Sequence, residues 1–121
     1  MEPAMNQLDE NGQNHGPWEF FREDGTLWLK GFFDHGQRHG PWEIFHTNGM
    51  LWMKGSYEHE KKHGPWEIFY EDGTLCSKGS YEHGKKHGPW EWFDGNGKLW
   101  QKGSYENDVK KGTWIEQWNQ Q

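Results

Sequence analysis

Large apolar residues along this chain come in short clusters separated by polar, glycine-rich stretches, and the clusters return every 24 residues. A Trp-Glu-x-Phe group opens each cycle, at Trp18–Phe21, Trp42–Phe45, Trp66–Phe69 and Trp90–Phe93. Asp24-Gly25, Asn48-Gly49, Asp72-Gly73 or Asn96-Gly97 follows, and then a second apolar run from Leu27, Leu51, Leu75 or Leu99 to the next Lys-Gly. An aromatic run too short for a helix, an Asx-Gly turn signal and a second apolar run predict a β-hairpin. The link between hairpins, as in Tyr81–Pro89, carries Gly where positive φ is useful and Pro at the first position of the next strand, and reads as a reverse connection. No segment has helix periodicity, and glycine at this density opposes one.

Four full units, residues 15–38, 39–62, 63–86 and 87–110, succeed one another without insertion or deletion. Residues 111–121 read as a partial C-terminal cap, and residues 12–121 as a single repeat domain behind a flexible leader, residues 1–11. Gly12-Gln-Asn-His-Gly matches Gly84-Lys-Lys-His-Gly, which makes the segment before the first unit the tail of an incomplete one. Two strands per unit give eight, with a ninth over Trp114–Trp118. One hairpin cannot bury its aromatics alone, so neighbours must stack at constant geometry. The predicted fold is all-β, an elongated antiparallel meander of stacked hairpins in an open single-layer sheet; a strict repeat with abbreviated ends favours this over closure into a barrel.

Two registers are open within each hairpin. A two-residue turn sets Glu67 opposite Lys78, Trp66 opposite Gly79 and Phe69 opposite Cys76, and by the same arithmetic pairs Glu19 with Lys30, Glu43 with Lys54 and Glu91 with Lys102. A three-residue turn with Gly in a bulge sets Phe69 opposite Leu75 instead. The column Leu29, Met53, Ser77, Gln101 grows more polar along the chain and is expected to face solvent or to change its surroundings.

Composition concentrates the burial in few positions. Mean hydropathy is −1.29 and only 31% of residues are hydrophobic, yet ten Trp, seven Phe and four Tyr recur at fixed spacing, unlike a disordered chain. A net charge of −6 and a pI near 5.7 argue against a nucleic-acid backbone or an anionic membrane as partner. The single Cys76 excludes an internal disulfide, and no apolar stretch is long enough to span a bilayer, so the expected location is cytoplasmic.

The run Gly79, Tyr81, Gly84, Lys85, Gly88, Trp90, Phe93, Gly97, Leu99, and its predecessor Gly55, Tyr57, Lys61, Gly64, Trp66, Phe69, Gly73, Leu75, resembles the MORN repeat family in its bacterial variant form. The resemblance covers nearly all of residues 12–118. It implies stacked hairpins and a protein-association or scaffolding role, with lipid binding in some members. Small bacterial members are labelled YwqK-like antitoxins, which implies neutralising a partner by binding it. Some positions depart from the pattern. Glu60 stands where Gly36 and Gly84 stand and argues against positive φ at that turn in every unit. Phe33 takes the Tyr column, and Asn107-Asp108 replaces His-Gly. Thr113, Gln117 and a displaced Trp118 suit a cap that meets water.

Candidate sites follow from residue type and recurrence. Trp18, Trp42, Trp66 and Trp90, with Phe21, Phe45, Phe69, Phe93 and Leu27, Leu51, Leu75, Leu99, form the expected structural core. Trp28, Trp52 and Trp100 share a column that admits Cys76, and with Glu19, Glu43, Glu67 and Glu91 they are the candidate protein-binding residues. The pairs His35/His39, His59/His63 and His83/His87 straddle a turn; nearby acids could complete a metal site, but repeated His-Gly-Pro reads as turn packing, and no metal or cofactor is expected. Regular acids and a lone thiol give no unique constellation for catalysis. Lys61-Lys62, Lys85-Lys86 and Lys110-Lys111 could rim a stacking surface, but each pair sits beside acids, so direct nucleic-acid binding is not expected. The leading expectation is a noncatalytic module that neutralises a protein partner, as an antitoxin or immunity protein would. The alternative is a phage-encoded inhibitor of a bacterial defence complex, of the anti-CRISPR type, acting by steric block or acidic nucleic-acid mimicry. Exposed strand edges leave a homodimer possible.

Overall fold

Each hairpin closes on three residues, as Glu71-Asp72-Gly73 shows: the Gly73 N–H donates to the Tyr70 carbonyl at 2.9 Å and the Tyr70 N–H to Thr74 O at 2.8 Å. Gly73 takes φ +92°, the bulge position that a side chain would strain. Asp72 Oδ1 accepts the Thr74 N–H at 2.8 Å, and Asn48 does the same for Met50 at 2.9 Å, so either Asx residue completes the turn.

These turns build one sheet in a computed structural model that describes residues 5–116. Its strands are β1 (Gln7–Leu8), β2 (Asn14–Phe21), β3 (Leu27–Asp34), β4 (Gln37–Arg38), β5 (Gly40–Phe45), β6 (Leu51–Glu58), β7 (Lys61–Lys62), β8 (Gly64–Phe69), β9 (Leu75–Glu82), β10 (Lys85–Lys86), β11 (Gly88–Phe93), β12 (Leu99–Glu106) and β13 (Val109–Glu116). All pairings are antiparallel, in the order β1-β2-β3-β5-β6-β8-β9-β11-β12-β13, and β1 and β13 end the sheet without meeting. The fold is the expected open meander of stacked hairpins. Trp118 lies outside the described residues.

Both registers are present in the same hairpin. Trp66 faces Gly79 and Glu67 faces Lys78, as a two-residue turn requires, yet Phe69 faces Leu75, as the three-residue turn requires. A one-residue bulge at Cys76 reconciles them, and Trp28, Trp52 and Trp100 are the bulge residues of the other hairpins. The links also differ from a plain connection. Tyr57 pairs with Lys62 and Glu58 with Lys61, so each link is a second, tight hairpin.

Glu60 does not abolish positive φ at the link turn. His59 and Glu60 sit at +52° and +69°, like His83-Gly84 at +53° and +84°, and Asn107-Asp108 at +50° and +71°. Side-chain bonds to the preceding link hold the two acids there. Glu60 accepts the Arg38 backbone N–H and, at 3.0 Å, Arg38 Nε; Asp108 Oδ1 accepts the Lys86 N–H at 2.8 Å. At the other end, Gln7 pairs with His15, so the chain enters the sheet before the expected start at residue 12.

The core is one side chain deep. A Cβ on Gly31, Gly55, Gly79 or Gly103 would lie within 2.4 Å of the indole of Trp42, Trp66, Trp90 or Trp114, so each Trp lies flat on the backbone of the hairpin before it. The indole N–H groups of Trp42, Trp66 and Trp90 donate to the carbonyls of Phe32, Ser56 and Ser80 at 3.0–3.2 Å. Rings one step along the strand join these indoles edge to face into a continuous spine: Trp18, Phe33, Trp42, Tyr57, Trp66, Tyr81, Trp90, Tyr105, Trp114, at centroid spacings of 5.0–6.1 Å. Each such pair adds about 0.5–1.5 kcal/mol beyond the area it buries. Phe21 leaves the expected core. It is 57% exposed because only the two-residue β1 precedes its hairpin, whereas Phe45, Phe69 and Phe93 are covered in part.

Candidate binding surface

Strand alternation gives the sheet two unlike faces. On one, Glu and Lys alternate from strand to strand. Glu43 lies opposite both Lys30 and Lys54, and Glu67 opposite both Lys54 and Lys78. The close contact runs between hairpins: Lys30 Nζ to Glu43, Lys54 to Glu67 and Lys78 to Glu91, at 3.4–3.6 Å. The row Glu19, Glu43, Glu67, Glu91 is therefore one half of a mixed-charge ladder. An acidic rail imitating a phosphate backbone would have no interleaved lysines, so this geometry removes the support for mimicry. Between the ladder rungs, shallow notches form over the glycine backbone, as at Pro65, Gly79 and Pro89.

The other face carries the aromatic spine, and cations cover its edge. Lys62 Nζ lies 4.9 Å from the Trp66 ring and 5.0 Å from Tyr81, Lys86 lies over Trp90 and Tyr105, and Arg38 over Tyr57. Burial lowers the Lys62 pKa, helped by the charges of Arg38 and Lys86, and burial raises that of Tyr57. Lys111 reaches Glu106 at 2.5 Å. Four of the six lysines in the Lys-Lys pairs, Lys62, Lys86, Lys110 and Lys111, are thus turned onto rings or acids.

Where the spine face meets the hairpin turns, the bulge residues form their own row. A bulge re-aims its side chain out of the ladder, and Trp28 and Trp52 are 45% and 38% exposed, while Trp66 and Trp90 are 4% exposed. Successive members stand two strands apart, about 10 Å. The Trp52 indole stacks on His46 at 5.2 Å, and a groove of 560 Å³ opens beside it, lined by Ile68, Phe69, Tyr70, Cys76 and the Glu71-Asp72 turn. Trp100 and Cys76 continue the row at intermediate exposure. Cross-hairpin bonds stiffen its floor: Arg22, His46 and Tyr70 each reach the carbonyl of the Phe in the following hairpin, at 2.6, 2.9 and 2.6 Å.

The structure brings Trp28, Trp52 and Trp100 into one row and separates it from the Glu positions, which lie on the opposite face. Sequence reasoning missed the Tyr column as core, although Gly55 and Tyr57, two apart, had to share a face. It also missed Arg22, His46 and Tyr70, because three different side chains perform one task and no residue identity recurs.

A single-layer stack of repeated hairpins, stiffened by a ring spine and offering rows of side chains, defines a repeat scaffold. The chain belongs to the MORN repeat variant family, whose model matches residues 14–35, 38–59, 62–83 and 86–107. Each match ends on the first residue of a link turn. Comparison with curated proteins gives no match. No helix among the described residues is long and apolar enough to cross a membrane.

Proposed function

We propose that this protein is a binding scaffold that grips a protein partner through the bulge row, with Trp28 and Trp52 as anchors, and neutralises that partner by occupying its surface. The observation that carries the reading is the division of the indoles: Trp42, Trp66 and Trp90 are spent on the stack, while Trp28 and Trp52 are held outward on a rigid sheet. Exposed, pre-ordered Trp is the side chain most enriched among residues that dominate binding energy. The groove beside Trp52 offers an apolar slot for a partner's side chain. A net charge of −6 suits a basic partner, and the bacterial proteins that this repeat resembles support the neutralising, antitoxin-like form of the reading.

The test starts with a partner co-purified from the native host and then made recombinantly. Trp28→Ser and Trp52→Ser together should weaken its binding by about 100-fold or more and abolish inhibition of its activity, with the unfolding midpoint unchanged. Unaltered affinity in this variant, with loss on replacing the Glu–Lys ladder, would place the interface on the other face and overturn the proposal. A partner that is a nucleic-acid-guided defence complex would return the function to the inhibitor class.

A further inference from the structure

We propose a divalent-cation site at the first link turn, formed by His15, Asp34 and His35 and suited to a borderline first-row metal such as zinc, with Asp9 orienting His35. One nitrogen of each imidazole and one Asp34 oxygen lie within 4.8 Å of one another, all exposed and reachable by an ion. The separations from Asp34 Oδ1 are 3.9 Å to His15 Nδ1 and 3.8 Å to His35 Nε2. That is too long for hydrogen bonds. Zinc bonds of about 2.0–2.2 Å in a tetrahedron set ligand atoms about 3.3–3.6 Å apart, so small rotations of exposed side chains bring all three into range, with water as fourth ligand.

A second feature points the same way. Asp9 Oδ2 holds His35 Nδ1 at 2.6 Å, and the Asp9 side chain is only 4% exposed. The N–H groups of Asn11 and Gln13 fix Asp9 Oδ1 at 2.8 and 2.9 Å. A carboxylate on Nδ1–H leaves Nε2, 3.8 Å from Asp34 Oδ1, as the nitrogen that can take a metal, the outer-shell arrangement that metal-binding imidazoles use. His15 Nδ1 accepts the His35 backbone N–H at 3.1 Å, so an ion bound there takes this lone pair from the N–H, which the exposed turn returns to water.

The later links do not reproduce this. His15 and His35 have ring centroids 4.3 Å apart, whereas His39–His59 and His63–His83 stand at 6.3 Å. In those links Glu58 and Glu82 turn to His63 and His87, at 3.5 Å. Asp9 comes from the incomplete unit before the first repeat, so among the described residues the cluster stands only where the period begins. A bound ion would tie the Asp9–Gln13 turn to the first full hairpin.

The experiment is calorimetric titration of the full, tag-free chain with zinc chloride near neutral pH. One equivalent should bind. Asp34→Asn and His35→Asn should each lower affinity at least about 10-fold, and Asp9→Asn, which removes no ligand, by about 10–100-fold. His63→Gln with His83→Gln should bind as wild type. In the unaltered protein, zinc should shift the imidazole NMR signals of His15 and His35 before those of the other His residues, a readout independent of any variant's folding. Absent saturable binding, affinity unchanged in Asp34→Asn and His35→Asn, or first shifts at His39, His59, His63 or His83 would overturn the assignment.

Discussion

Replacing Gly79 by Ala adds one methyl group at the place where two hairpins touch most closely. The new Cβ would stand 2.0 Å from Trp90 Cδ2, while carbon atoms in contact need about 3.5 Å. The indole must therefore retreat by roughly 1.5 Å. Retreat breaks its 3.1 Å bond to Ser80 O and opens the edge-to-face contacts with Tyr81 and Tyr105. Overpacking costs about 1–3 kcal/mol and the hydrogen bond about 1 kcal/mol; reduced freedom of the unfolded chain returns about 0.4–1 kcal/mol. The net expectation is a loss of about 1–3.5 kcal/mol. Gly103→Ala meets Trp114 at 2.1 Å, nearly the same clash, but at the end of the stack. Stability in a linear array is a sum over neighbouring interfaces, so the central change should divide the array and lower the urea m-value, while the terminal one should fray a single strand. Gly95→Ala, with no atom within 4 Å, is the control and should stay within about 0.5 kcal/mol of wild type. Urea unfolding followed by Trp fluorescence and far-UV circular dichroism reads all three. Equal curves for Gly79→Ala and Gly95→Ala would refute the indole-on-glycine account of the core; equal curves for Gly79→Ala and Gly103→Ala would refute its linear energetics.

Ser77→Met should destabilise by about 1–3 kcal/mol, because Ser77 is 3% exposed and lies between Ile68 and Trp92; adding Trp92→Ile should recover much of this, with a coupling of about 0.5–3 kcal/mol in the cycle. Tyr70→Phe should cost about 1 kcal/mol in chemical denaturation through the lost bond to Phe93 O. Backbone and hydroxyl donors at Thr26 and Thr74 hold Asp24 and Asp72 below their ordinary pKa of 3.8. Their stabilisation is complete above that value and disappears as pH falls through the lowered folded-state pKa values. Asp24→Asn with Asp72→Asn should flatten this acid limb of the stability profile while leaving neutral stability unchanged, as Asn48 already serves in the second hairpin.

Hairpins, their order and the open sheet were legible because Asx-Gly turns and a 24-residue period act locally and repeat. The register was not, because turn length and bulge are separate one-residue choices: Phe69 facing Leu75 and Glu67 facing Lys78 conflict unless Cys76 is extruded. The polar drift at Ser77 marked a change of surroundings and not solvent exposure, a choice that the sequence left open. It reflects the volume of Trp92 on the next strand, where Ile44 and Ile68 stand in earlier units, and so it marks tighter burial instead of exposure. Positive φ at Glu60 was likewise hidden, since the compensating bonds come from Arg38 in another unit. On the candidate surface, the Trp column was visible but its company was not: the Glu residues that seemed to accompany it sit on the far face, an assignment that hangs on the register.

The bulge also separates, in a sheet one layer thick, the positions that hold the stack from those proposed for binding. Ladder positions are committed: Trp66 needs Gly55 beneath it, Tyr81 beside it and Lys62 over it, so a change at any of them is felt by two hairpins. The extruded position stands outside the ladder register, and Cys76 stands where Trp28 and Trp52 stand without disturbing the pairing of Ile68 with Ser77 or of Phe69 with Leu75. Each unit thus contributes one side chain outside the ladder, in a position that the stack fixes. Under the proposed function, variation along this row would alter what the scaffold grips, at a spacing of about two strands, while the aromatic spine beneath keeps the same geometry.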